Sequence, residues 1–269
     1  MSQYTIRSAV KVLDTLFAFD TTEPLNAEEL GRRTDQSRNQ VFRCIKTLQE
    51  YGLIAERDEG YVLTPMMLKL MPSLRRDPLA MVAEPYLREL QAETDETVNL
   101  VARWDQNETI TLATFPSRHS IRLVSQVGQV SFLHAGAVPK AVLAFASREE
   151  QEQVLAELAA YPRYTEWTVL DHGKLREEIR KIRERGYSIS DQDFEAGGRG
   201  VGAPIFDGRG NPIGGISVGG PTVRVSLEVL SSWGPHLQHV ADRISAELGW
   251  TGSPSPANTS PGNRKDDAS

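Results

Sequence analysis

NAEELGRRTDQSRNQVFRCIKTLQEYGLI, residues 26–54, is the stretch that decides the fold. Asn26 precedes an acidic first turn with Glu29 three residues on, a capping-box spacing in which Asn replaces the usual Ser or Thr. The helix it opens is short and is expected to end near Thr34-Asp35. Ser37 caps the next helix, which carries Val41, Ile45 and Leu48 on one face to about Tyr51, and Gly52 ends it. Upstream, Val10, Leu13, Leu16 and Phe17 recur at helical spacing and predict one apolar stripe, stopping near Phe19 before a loop over 20–24. Downstream, 53–57 and 61–64 read as short strands around the loop Asp58-Glu59-Gly60. Helix, helix, short turn, helix and hairpin is the order of a winged helix-turn-helix, and residues 1–64 suffice for it.

Wound at about 100° per residue, helix 37–51 buries Val41, Ile45 and Leu48 with Cys44 beside them. Asn39, Arg43, Lys46 and Glu50 lie opposite, and Arg38 and Gln40 flank the N-terminal turn, the end of an inserted helix that reaches base edges. Arg bonds guanine bidentately, and Asn or Gln does the same with adenine. Ser37, Arg38, Asn39, Gln40, Arg43 and Lys46 are therefore the candidate DNA-binding residues, with Arg57 of the wing directed at a phosphate or the minor groove. Phe42 lies off the core face, against either a thymine methyl or a neighbouring helix. Cys44 reads as core filler.

Net charge over the 269 residues is −6, which by itself disfavours nucleic acid. The sum hides an asymmetry. Residues 1–76 hold 11 Lys/Arg and 10 Asp/Glu, and residues 30–46 alone hold five basic groups against Asp35. The acidic excess lies in the remainder. A basic stripe on an otherwise acidic chain suits local groove binding.

Beyond the first quarter, 65–77 reads as a connector helix rich in methionine, serving either flexible packing or a dimer contact. Residues 78–250 begin with a helix carrying Val82, Tyr86, Leu87 and Leu90. Strands are expected at 98–104, 109–115 and 121–124, helices at 137–146, 148–160 and 172–185, strands at 187–190, 201–206 and 212–218, and a last helix at 226–248. The fold class is α+β, with an antiparallel sheet flanked by helices behind the winged helix-turn-helix. Residues 251–269 lack large apolar side chains and read as a disordered tail.

With 39% hydrophobic and 25% charged residues, the chain is neither wholly disordered nor collagen-like. One cysteine excludes an internal disulfide and a cysteine-built zinc site. No apolar run is long enough to cross a bilayer, and the charged N-terminus lacks a signal-peptide core, so no membrane partner and a cytoplasmic location are expected. No cofactor, metal site or catalytic residue is expected. The glycines of 197–202 lack a phosphate-loop ending and read as a strand entry. His236 and His239 share a helix face without an evident third ligand, and no nucleophile elbow occurs.

Over about residues 4–250 the sequence resembles the IclR family of bacterial transcriptional regulators. The likeness rests on SAVKVLDTL, AEELGRRTDQSRNQVFRCIKTLQEYGLI and GYVLTP in the first part. In the second it rests on SIRLVSQVGQVSFLHAGAVPKAVLAF, RERGYSISDQDFEAGGRGVGAPIFD and GGISVGGP. The resemblance implies a C-terminal effector-binding domain with a GAF-like sheet. It also implies a homodimer, or a dimer of dimers (a homotetramer), on a palindromic double-stranded operator, and a small organic effector such as a carboxylate or an aromatic catabolite. It further implies effector-binding residues Gly136, Ala137, Val138, Ser190, Asp191, Asp193, Gly200, Ser217 and Gly219. Several family positions are altered: Pro139 replaces a glycine and removes an amide donor, Ser190 replaces an acid, Gly200 a cysteine, and Gly219 a serine with its hydroxyl. These changes imply a ligand unlike that of better-matching members, or a vestigial site. The expected function is a ligand-responsive, sequence-specific regulator. A small-molecule enzyme with an accessory DNA-binding domain is the alternative.

Overall fold

The computed structural model describes residues 4–21, 23–70 and 77–252. The chain divides into two compact units, 1–76 and 77–269.

The first unit carries α1 (Arg7–Phe17), α2 (Ala27–Thr34), α3 (Arg38–Glu50), β1 (Ile54–Arg57) and β2 (Gly60–Leu63). Asn26 Oδ1 accepts from the Glu29 N–H at 2.9 Å, but Glu29 does not close the box in return. Its carboxylate is taken by Arg32 and Arg33, stronger partners than a backbone amide. Asp35 ends α2 in the left-handed region, φ 50°, and the turn leads to Ser37, whose N–H donates to Gln40 Oε1 at 3.1 Å. Phe19, Leu25, Leu30, Val41, Ile45, Leu48 and Ile54 form the core, with Val12 and Leu16 packed on it.

The α1 stripe divides, contrary to expectation. Leu16 turns inward with Val12, whereas Leu13 and Phe17 are exposed. The cause is Thr15, fully buried and held by its own bond to the Lys11 carbonyl and by Gln36, which rolls the helix toward its 12/15/16 side. Leu25 and Tyr61 exchange two backbone bonds and widen the wing. The φ of 141° at Gly60 and the 2.9 Å that would separate a Cβ from the Leu25 backbone make glycine necessary at that crossing.

The expected connector begins as a 3₁₀ helix, Pro65–Leu70, started by the Thr64 hydroxyl and carbonyl on the N–H groups of Met66 and Met67. Residues 71–76 of the connector, and the expected tail from residue 253, lie outside the described residues.

The second unit has a six-stranded antiparallel sheet in the order β5-β4-β3-β8-β7-β6. Its strands are β3 (Thr97–Arg103), β4 (Glu108–Phe115), β5 (Val130–Phe132), β6 (Ser188–Asp191), β7 (Gly198–Phe206) and β8 (Pro212–Pro221). Helices α4 (Pro78–Thr94) and α8 (Leu227–Glu247) bury Leu87, Leu90, Leu237 and Ile244 with Val98, Ile205 and Ile216. A second core gathers α5 (Ala137–Phe145), α6 (Arg148–Glu157) and α7 (His172–Arg185) around Leu143, Leu158, Leu175 and Ile182.

The expected strand at 121–124 is absent. The Ile121 carbonyl accepts from Arg224 at 3.0 Å and the Leu123 carbonyl from the Thr97 hydroxyl at 2.9 Å, so side chains replace the ladder there. The strand in this region is β5 instead, paired with β4. Among the described residues no helix is long and apolar enough to cross a membrane, and no group of three metal-ligating side chains converges. His236 bonds Glu93 at 2.8 Å.

Candidate DNA-reading face and effector pocket

In the first unit, the cores of α2 and α3 fix which side of α3 faces outward. Arg38, Asn39, Arg43 and Lys46 are exposed there, with Ser37 exposed at the N-cap and Arg57 on the wing; Gln40 is half-buried. The five basic groups of 30–46 are not equivalent. Arg32 and Arg33 are spent on Glu29, whose carboxyl is pulled down to about 2 mainly by its bond to Arg32, and Arg33 also pairs with Asp20. Arg38, Arg43, Lys46 and Arg57 make no ion pair among the described residues and keep their charge available. Gln40 is partly committed, since its carbonyl oxygen accepts from Ser37. Phe42 is 57% exposed, with Lys46 Nζ 5.6 Å from its ring centroid, so it packs on no neighbouring helix of this unit.

In the second unit a cavity of about 140 Å³ opens between the sheet and the N-terminus of α5. Gly136, Ala137, Val138, Ser190, Gly200, Ser217 and Gly219 all line it. The close seat of α5 on the sheet is made by glycine: a Cβ on Gly202 would stand 2.6 Å from the Ala137 carbonyl carbon. Gly136 caps α5 at φ 91°, and Pro139 stands in the first turn. No intrahelical bond is lost there, but one amide is missing from the set near the cavity.

Asp191 and Asp193 stand behind the wall. Asp191 Oδ1 is 2.7 Å from Arg199 Nε, and Arg199 itself lines the cavity. Asp193 is buried, accepts from the Ser190 hydroxyl and pairs with Lys140 Nζ at 2.5 Å. Lys140 also reaches Glu178 and donates to the Ile189 carbonyl at 2.9 Å. Burial pushes the Lys140 ammonium pKa down, but Asp193 and Glu178 together outweigh it and hold the pKa above its ordinary value.

Sequence reasoning missed the wall opposite α5. Asn99, Thr109 and Thr111 of β3 and β4 line it, as does Leu123 of the segment misread as a strand. Asn99 Oδ1 is buried without a partner. Thr111 and Ser217, 7% and 9% exposed, have hydroxyls that make no hydrogen bond among the described residues. Period-2 alternation signals only that such residues face one side of a sheet, not that the side encloses a cavity.

The family profile of the bacterial transcriptional regulator IclR C-terminal domain matches residues 71–246. The chain belongs to the IclR family. It is 31% identical over 248 residues to the HTH-type transcriptional regulator KdgR of Escherichia coli K12, covering 91% of this chain and 94% of KdgR. It is 32% identical to the HTH-type transcriptional regulator BhcR of Paracoccus denitrificans Pd 1222, covering 89% of this chain and 86% of BhcR. The crystal structure of a transcriptional regulator from Rhodococcus sp. RHA1 superposes with a TM-score of 0.76 at 28% identity, covering 91% and 98% of the two chains. This IclR-family chain is thus a ligand-responsive, DNA-binding transcriptional regulator with an N-terminal helix-turn-helix and an α+β C-terminal domain. Family and relatives are regulators, which removes the enzyme alternative.

Proposed function

We propose that this IclR-family protein reads a palindromic operator as a homodimer and is switched by a small organic acid held in the 140 Å³ cavity. In this reading 1–64 is the reader, 65–77 the connector and 78–250 the sensor, and the protein works in the cytoplasm, where its DNA is. Ser37, Arg38, Asn39, Gln40, Arg43 and Lys46 face bases and phosphates, and Arg57 meets the backbone from the wing. Two copies present two such helices, whose separation must match the operator half-sites. The exposed apolar residues Leu13 and Phe17 of α1 lie about 40° apart on the helix, with Ile6 at its N-cap in line with them, and this stripe suits the same face of a second copy.

The observation that carries the effector assignment is the polar lining of one recess: Asn99 Oδ1, buried without a partner, and the Thr111 and Ser217 hydroxyls, which make no hydrogen bond among the described residues, in a cavity that Ala137 and Val138 of the α5 N-terminus also line. Buried polar groups without partners are costly, and a ligand with hydroxyl or carbonyl groups would satisfy them. Amides at a helix N-terminus favour a carboxylate. A dry cavity of about 150 Å³ holds one benzene ring, which sets the ligand's size. The same wall argues against a vestigial site, which has no reason to keep unpaired polar groups around open space.

The test is a melting screen of the full chain against aliphatic 2-oxo acids, hydroxy acids and monocyclic aromatic acids. A hit at about a hundredfold its Kd stabilises by about 2.7 kcal/mol. The shift should vanish in Ser217→Val. No shift with any acid, or an unchanged shift in the variant, overturns the assignment.

A further inference from the structure

One groove of the first unit runs from the edge of the proposed reading face onto α1, whose cations that reading leaves unused. Where α1 lies along α3, the groove is lined by Arg7, Ser8 and Lys11 from α1 and by Gln40, Arg43 and Thr47 from α3, with Val12 and Cys44 completing it. Three cations line it and no acid does. None of the three makes an ion pair among the described residues, unlike Arg32 and Arg33 one helix away. Arg7 and Lys11 stand one turn apart on α1, and Arg43 faces them from α3. Gathering three like charges is unfavourable unless an anion is shared among them.

On the α3 wheel, Gln40, Arg43 and Thr47 form the edge toward α1, and Asn39 and Lys46 the outward face next to it. A helix lying in the major groove has a sugar-phosphate strand running along its flank. We propose that Arg7, Lys11 and Arg43 clasp one backbone phosphate of the bound duplex, so that α1 joins α3 and the wing in the DNA interface. This rests on the reading of α3 as the recognition helix. The clasp carries no base information; it fixes the depth and register at which Arg38 and Asn39 meet the bases.

The test uses the full chain and a fluorescein-labelled duplex about three helical turns long, selected from random sequences by the protein itself, with anisotropy followed between about 50 and 200 mM salt. Each phosphate contact adds about one unit to the slope of log K against log salt. Arg7→Ala/Lys11→Ala should lower that slope by about one unit with an unchanged melting temperature, and Lys11→Arg should retain it. A wild-type slope in the double variant overturns the clasp. If Arg38→Ala lowers the slope while the double variant does not, the clasp falls and the α3 reading stands; a wild-type chain that binds no duplex overturns both. Inorganic phosphate separates the remaining source. A melting shift with phosphate that the double variant loses, while its duplex slope stays wild-type, would make the groove a free-anion site and refute the DNA contact.

Discussion

Lys140 carries a full charge in the core behind the cavity, and its worth depends on both of its carboxylate partners. Replacing it with Ala leaves Glu178 and Asp193 facing each other without a counter-ion, a change that costs about 3–5 kcal/mol in comparable buried pairs. Urea titration of Lys140→Ala should show that loss, and a loss below about 1 kcal/mol would mean the cluster relaxes into solvent. Its pH sign follows from the raised pKa of the folded state. The folded chain holds that proton more tightly, so the contribution is complete below the unfolded lysine value near 10.4 and is lost as pH rises through the higher folded one. His134 acts at the opposite end. Burial lowers its pKa, against the pull of the Pro162 carbonyl, so the unfolded chain binds the extra proton. Its contribution is complete above about pH 6.5 and is lost as pH falls below that value. His134→Gln should flatten the stability profile on the acid side, and an unchanged profile would place the titration elsewhere. Neither environment was legible in the sequence. Position 140 stood there as one letter of a motif, and Glu178, 38 residues away, gave no local signal of pairing.

At the scale of elements, local rules served where local forces decide. The caps and periods of α2 and α3 stand in the sequence because helix ends and buried faces are fixed within a few residues. The α1 stripe and the segment 121–124 were misread for a shared reason: apolar or β-branched residues were assigned to the nearest regular pattern. Thr15 and Gln36 set the roll of α1, and Arg224 and Thr97 took the carbonyls of 121 and 123. Half of the cavity lining was legible through the α5 motif and the glycine-rich strands; the β3–β4 half required knowing which sheet face encloses space. The seat of α5 gives an element-level prediction. Gly202→Ala puts a methyl against the Ala137 backbone, so α5 must lift from β7. Overpacking of this kind costs about 1–3 kcal/mol. Thermal melting should show that loss together with a weakened ligand shift, and a wild-type melt would mean the helix start is compliant. The exposed face of α1 gives another. Leu13→Asp/Phe17→Asp should leave the helical circular dichroism intact and shift sedimentation toward monomer, and an unchanged dimer would put the interface elsewhere.

For the whole molecule, charge and regulation belong to one argument. The first 76 residues are near neutral with a cluster of unpaired cations, and the rest is acidic. That distribution weakens loose attachment to DNA and, on the proposed reading, leaves affinity concentrated on α3 and its neighbours. Regulation then requires that the effector bind two states of the full chain unequally, since a ligand of equal affinity for both shifts nothing. Linkage makes the consequence quantitative. If an acid from the melting screen changes operator affinity by some factor, operator must change the affinity for that acid by the same factor, typically about 5- to 150-fold. The check takes an operator selected from random duplexes by the protein itself. Effector binding is measured by calorimetry with and without that duplex, and duplex binding by anisotropy with and without effector. Equal factors that differ from one establish coupling between effector and operator binding, and factors of one refute it. Ser217→Val should bring both factors to one while leaving ligand-free operator affinity unchanged, because Ser217 lies in the second unit, at the cavity. If that variant instead loses ligand-free operator binding, the cavity wall maintains the DNA-competent state itself, and a switch acting only when occupied is refuted.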